Sequence, residues 1–231
     1  MFIAPIADFL RLENAERLDI AIGVVAHTAR AEQAHELMET VGAVYMSVDN
    51  GSLGYRVNHR KVWHRLTRYN TTWSVVIEDD AQPVQDFPNQ LEQALQAAPT
   101  PVAGLYLGHP EHWQSHRTLR RDLEAAITQA HHQDACFITT QAVLHGVGIA
   151  IHTTLVDDML THTQASDRPF DFAIRNWARA KGHTISLCIP SLVDHADGPT
   201  LLQHQDSNPR HRRRAWRTGT RNAWTSKAVT L

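Results

Sequence analysis

Residues 73–84 read WSVVIEDDAQPV. Trp73 to Ile77 is apolar and β-rich, the composition of a buried strand, and it runs directly into Glu78, Asp79 and Asp80. Three like charges at a strand end repel one another, and partial burial raises that cost. The arrangement calls for positive charge beside it and marks this strand as the place to look for a site.

On either side the chain alternates between strand and helix patterns. Residues 20–25 (IAIGVV), 43–49 (AVYMSVD) and 102–108 (VAGLYLG) have the composition of strands, as do segments of 135–151 and TISLCIP at 184–190. Between them Ala34, Leu37, Met38 and Val41 repeat at helical spacing, and so do Val62, Leu66 and Tyr69. Phe87, Leu91, Leu95 and Ala98 do the same, as do Leu119, Leu123, Ala126 and Ala130. Two more helices are expected over 153–162 and 170–182. Such alternation predicts an α/β fold: one domain over 1–206, a mostly parallel sheet flanked by helices, and a basic tail over 207–231. Ligands of open parallel sheets bind beyond the carboxyl ends of the strands. That rule gathers Ala26–Arg30, Asp49–Gly54, Glu78–Asp80 and Gly108–His109 on one edge.

Composition narrows the classes. The chain has 231 residues, 42% of them hydrophobic, enough for one sizeable core. No 18-residue apolar run is present, so no membrane span is expected. The start, MFIAPIADFLRLENAERLD, is too acidic and too interrupted for a secretory signal. Cys136 and Cys188 lie in apolar runs and form no metal-type pair, which fits buried thiols in a reducing cytoplasm. Charge is unevenly spread. Residues 207–231 hold seven of the 22 Lys and Arg and none of the 24 Asp and Glu, so the other 206 residues carry 15 − 24 = −9.

A compact acidic cluster suits a hard divalent cation, since Mg²⁺ and Mn²⁺ prefer oxygen ligands and are often shared with substrate phosphates. A solvated acidic turn, or a helix cap by Asp79 or Asp80, is the alternative.

VVIEDDAQPV also resembles the acidic segment of family-25-like glycosyltransferases of the lipopolysaccharide and collagen type. Further similarities follow in order: GYRVNHRKVWHRL with Asn58, His59 and Trp63, then VAGLYLGH, LHGVGIAIHTTLVDDML, RPFDFAIRNWA and IPSLVDHADGPTLL. Together they span roughly residues 20–202. The family's Ser-His is Asn58-His59 here, and His145-Gly146 stands where an aromatic is common. The resemblance implies a GT-A fold that uses a nucleotide-sugar donor such as UDP-glucose with Mn²⁺ or Mg²⁺. It implies that Asp80 and His195 hold the metal, that Glu78 and Asp79 lie at the diphosphate, and that Asp171 is the general base or an acceptor contact. Ala26, Arg30, Asp49, Gly54 and Asn58 would line the donor. For Arg30 a solvent-facing helix start is the competing reading, and for Asp171 a helix cap. Trp63 reads as core, and Gly146 and Gly148 permit either close approach to a sugar or a bulge.

The tail interleaves Arg210, Arg212, Arg213, Arg214, Arg217 and Arg221 with Trp216 and Trp224. Arginines neutralise phosphates and tryptophans stack on unpaired bases, so DNA is a candidate partner. An arm packed on the acidic body is the alternative. Three readings stay open. One is a hexosyltransferase acting on a hydroxymethylated base in DNA; bacteriophages carry small enzymes of this kind, which would work in the host cytoplasm. The second is the same chemistry on lipopolysaccharide, capsule or protein. The third is a non-enzymatic nucleic-acid-binding module on this scaffold.

Overall fold

The computed structural model describes residues 18–113, 116–196 and 213–231. Among these, eight strands form one twisted sheet: β1 (Ile20–His27), β2 (Tyr45–Asp49), β3 (Trp73–Glu78), β5 (Val102–Gly104), β6 (Phe137–Thr140), β7 (Gly148–His152), β8 (Ile185–Cys188) and β10 (Ala228–Thr230). Their spatial order is β10-β6-β8-β5-β7-β3-β1-β2. A separate two-stranded ribbon pairs β4 (Ala81–Pro83) with β9 (Val193–His195). The main sheet is mostly parallel: β2, β1, β3, β5 and β8 share one direction. β7 runs against both its neighbours, and β6 and β10 run against β8.

Among the described residues, six α-helices cover the two faces. α1 (Ala31–Val41) and α3 (Phe87–Ala97) bury Ala34, Leu37, Val41, Phe87, Leu91, Ala94 and Leu95 on one face. The opposite face takes α2 (Tyr55–Leu66), α4 (Arg117–Gln133), α5 (Val156–His162) and α6 (Phe170–Ala180). Trp63, Leu123, Met159 and Trp177 are fully buried there, so Trp63 is core. The central strands are apolar on both sides because both faces are covered. Asp86 and Asp134 bear the left-handed backbone that starts α3 and ends α4. Cys136 and Cys188 are buried free thiols. No helix of the described residues is long and apolar enough to cross a membrane.

Three differences from the sequence reading matter. The strand expected over 102–108 stops at Gly104. The Leu105 N–H still donates to the Gly148 carbonyl of β7, but the groups beyond it turn to loop segments: the Leu105 carbonyl accepts from the Leu192 N–H, the Leu107 N–H donates to Ser191 Oγ, and the Leu107 carbonyl accepts from the Trp216 N–H. Of the two strands expected within 135–151, the second begins only at Gly148; residues 143–147 form a loop, in which Gly146 passes the acidic segment. The tail is in part sheet. β10 lies parallel to β6 at the sheet edge, and Trp224 is buried with its Nε1–H on Gln90 Oε1, 2.9 Å.

Candidate functional site

The three carboxylates that open the sequence argument part company in the structure. Side chains alternate across a strand. Glu78, the last residue of β3, turns to the α2 face, where Tyr55 O–H donates to its Oε1 at 3.2 Å and His59 Nε2 stands 3.3 Å away. Tyr55 and His59 sit four apart on α2, one turn along the same face. Asp79 turns to the α1 face. The His27 N–H donates to its Oδ2 at 2.8 Å, and Arg30 Nη1 donates to its Oδ1 at 2.9 Å.

Asp80 shares the same Arg30 nitrogen, at 2.8 Å from its Oδ2. The positive charge this cluster requires is thus supplied within the described chain by Arg30. Asp80 has a second neighbour because β4 follows it at once. The pairing of Ala81 with His195 in the ribbon brings His195 Nε2 to 3.5 Å from Asp80 Oδ2. His195 Nδ1 lies 2.7 Å from the Ala196 carbonyl, which only accepts, so Nδ1 carries the proton. In the neutral ring Nε2 therefore presents its lone pair toward Asp80. The other Asp80 oxygen, Oδ1, is buried with no hydrogen-bond partner among the described residues.

These environments set the acidities apart. Burial and the negative charge of Glu78 push Asp80 up, against Arg30 and His195. Burial would raise Glu78 as well, but His59, with His195 and Tyr55, together outweigh it and the carboxyl stays below its usual range. Asp171, in the first turn of α6, is pushed up to about 6 by burial and by Glu78. It reaches this neighbourhood because Phe170 stacks against His59, ring centroids 5.4 Å apart.

The other residues expected at the site fall as follows. Asp49 ends β2 and accepts from the Leu53 and Gly54 N–H groups at 3.0 and 2.9 Å, which shape the loop and hold its carboxyl below the usual range. Gly54 closes that loop at φ +80°, a backbone that favours glycine, and leads into α2. Asn58 is buried, and its Nδ2 donates to the carbonyls of Ala26 and Ser47, tying the ends of β1 and β2 together. Ala26 is itself buried. Gly146 passes beside Glu78 and Tyr55, while Gly148 lies in β7 against Leu105 and Val193. The three loops after β1, β2 and β3 thus meet at one edge. The Gly108–His109 segment instead bonds to the tail, with the His109 N–H on the Arg214 carbonyl.

Sequence reasoning did not single out Tyr55, although its four-residue spacing from His59 was a readable signal. It also missed Tyr106 and Trp113, which form an aromatic row with His145 beside His195.

Of the tail residues, Arg210 and Arg212 lie outside the described residues. Arg221 is enclosed: Nε donates to Ile189 O, Nη1 to Asp134 Oδ1 and Nη2 to Ala135 O, each at 2.8 Å. Arg214 donates to Gln82 Oε1 and Asp194 Oδ2, and Asp194 Oδ1 accepts the Ala215 N–H. Trp216 remains 39% exposed and leans on His109, centroids 4.9 Å apart. For residues 213–231, then, the packed arm is the arrangement found, and it borders the acidic cluster through Asp194.

No family model matches the chain, and no curated protein matches its sequence. In fold, a crystal structure of a glycosyltransferase involved in the glycosylation of the major capsid of PBCV-1 is similar at 9% identity and a TM-score of 0.28, over 64% of this chain and 68% of that one. Similarity at that level identifies neither a family nor an activity.

Proposed function

We propose that the edge formed by β1, β2 and β3 is the donor site of a glycosyltransferase. It would move a sugar from a nucleoside diphosphate, UDP-linked in the first instance, to an acceptor hydroxyl. One observation carries the reading: Asp80 is buried, keeps one carboxylate oxygen without a partner among the described residues, and has its other oxygen 3.5 Å from Nε2 of His195. Burying a carboxylate oxygen without a hydrogen bond is unfavourable, so its retention points to a ligand that completes it.

The donor set fits a divalent cation of this type. Among the described residues no three His, Cys, Asp or Glu gather as a full protein cage. Mg²⁺-type sites, however, are usually held by one or two carboxylates with substrate phosphates completing them. Asp80 and His195 would hold the ion, and the mixed oxygen and imidazole set suits Mn²⁺. When bound, it would neutralise charge on the departing diphosphate.

The chain's own groups do the rest. Arg30 offers a guanidinium to phosphate oxygens. The loop shaped by Asp49 borders the nucleoside end. Asp171 takes the proton of the acceptor hydroxyl as that oxygen bonds to the sugar carbon; the bond to the diphosphate breaks and its electron pair leaves with the nucleotide. A positioned base of this kind is worth about 10²–10⁴-fold. With its carboxyl raised to about 6, Asp171 is still ionised at neutral pH and is a stronger base than an ordinary aspartate.

For the acceptor, exposed Trp216 beside Arg213, Arg214 and Arg217 at the Asp194 side favours a molecule with flat rings and phosphates. A hydroxymethylated base in DNA fits that chemistry better than a neutral glycan. The test is a panel of UDP- and GDP-sugars with Mn²⁺ or Mg²⁺ against glycan, protein and 5-hydroxymethylated DNA. Release of free nucleotide that Asp80→Asn abolishes supports the reading. Absence of release across the whole panel overturns it.

A further inference from the structure

Resting on the donor reading above, we propose that Arg30 is a latch on the acidic pair. Its guanidinium covers Asp79 and Asp80 until a diphosphate draws it away, so that cation and nucleotide are taken up together.

The geometry is specific. A single nitrogen, Nη1, serves both carboxylates, at 2.9 Å from Asp79 Oδ1 and 2.8 Å from Asp80 Oδ2. Asp79 is otherwise held by the His27 N–H, so its position does not depend on Arg30 alone. Asp80 Oδ2, the oxygen that Arg30 grips, is also the one facing His195 Nε2. A cation arriving between Asp80 and His195 would therefore meet the guanidinium as a like charge a few ångströms away, where partial burial weakens screening.

Arg30 is also the outer layer. Its side chain is 17% exposed, against 8% and 11% for the carboxylates beneath. It projects from a single 3-10 turn, Thr28–Arg30, that buries no residue, so the side chain can swing without disturbing the core. A guanidinium exchanges a carboxylate for a phosphate with little loss, because both accept its planar donors. An incoming diphosphate thus offers Arg30 a new partner and leaves Asp80 open to the cation. Linkage then requires that each ligand tighten the other.

The test is Mn²⁺ binding to the full chain by calorimetry and by electron paramagnetic resonance, with and without UDP. It compares the wild type, Arg30→Ala and Arg30→Gln, with thermal melts to confirm folding. Gln keeps an amide donor for Asp79 should the alanine variant not fold. The wild type should bind Mn²⁺ at least tenfold more tightly with UDP present. Arg30→Gln should bind Mn²⁺ alone at least tenfold more tightly than the wild type, and the further gain from UDP should be smaller than in the wild type, because only the coordination by phosphate remains. A folded Arg30→Gln whose affinity for Mn²⁺ alone equals or falls below that of the wild type overturns the latch, as does a wild type indifferent to UDP. UDP binding in EDTA with no Mn²⁺ uptake by any variant sinks the latch and leaves the donor reading standing. No UDP binding under any condition sinks both.

Discussion

Gly146 passes so close to Glu78 that a Cβ built on it would lie 2.5 Å from Oε1 and 3.3 Å from the Tyr55 hydroxyl. The contact is one of space, since the carboxylate at the end of β3 fits only where the facing loop has no side chain. Gly146→Ala should displace Glu78 from Tyr55 and His59 and destabilise the fold by about 1–3 kcal/mol, the usual effect of overpacking. Urea denaturation measures it, and an unchanged midpoint would contradict the contact.

A second expectation concerns pH. Asp171 is held at about 6 in the folded chain against an ordinary value of 3.8. Between those values the folded state keeps a proton that the unfolded state has released. The contribution of Asp171 to stability is therefore present below about pH 4 and lost as pH rises through about 6. Asp171→Asn should flatten the melting temperature across that window.

The same group governs the proposed turnover. If Asp171 is the base, the rate should rise with pH and level off above about 6. Glu78→Gln removes the neighbouring negative charge that helps raise Asp171, so the rising limb should move to lower pH. A limb that stays in place would assign the proton transfer to another residue.

Arg221 should behave as a structural residue. Its partner Asp134 is 88% exposed, so that ion pair contributes little. The Ile189 and Ala135 carbonyls are different, because they lose charged donors in Arg221→Ala. The expected loss is about 1–3 kcal/mol. Arg217→Ala should stay within about 0.5 kcal/mol, as for most surface substitutions. Thermal melts of the two variants side by side decide the matter.

Trp224→Ala removes a buried ring that packs on Phe137 and donates to Gln90. A loss of about 3–5 kcal/mol is expected from chemical denaturation, as for other buried aromatics.

Much of the fold was legible because it rests on periodicity. The apolar run before Glu78, the helical spacing of Leu91 and Leu95, and the alternation of elements all report burial directly. The direction of β7 was not legible, since an apolar strand buried on both faces reads the same whichever way it runs. Nor was the ribbon of Ala81–Pro83 with Val193–His195. Two three-residue strands over a hundred positions apart leave no periodic trace, and His195 was singled out only through the family resemblance. Arg30 shows the limit for sites: a helix-start arginine looks alike in sequence whether it faces water or clamps two carboxylates. In the tail, the density of arginines masked a better signal, the apolar Trp224 followed by Ala228-Val229-Thr230.

That last segment bears on how the charge of residues 207–231 is to be probed. Ala228–Thr230 hydrogen-bonds along Phe137–Thr140, and the Cys136 and Phe137 N–H groups donate to the Lys227 carbonyl. Cutting the polypeptide before these residues would strip the outermost strand and leave a raw, sticky margin of unpaired amides, the template on which chains aggregate. A shortened protein would then fail through self-association, whatever its affinity for anions. Swapping Arg213, Arg214 and Arg217 for glutamine alters the electrostatics while the border stays sealed.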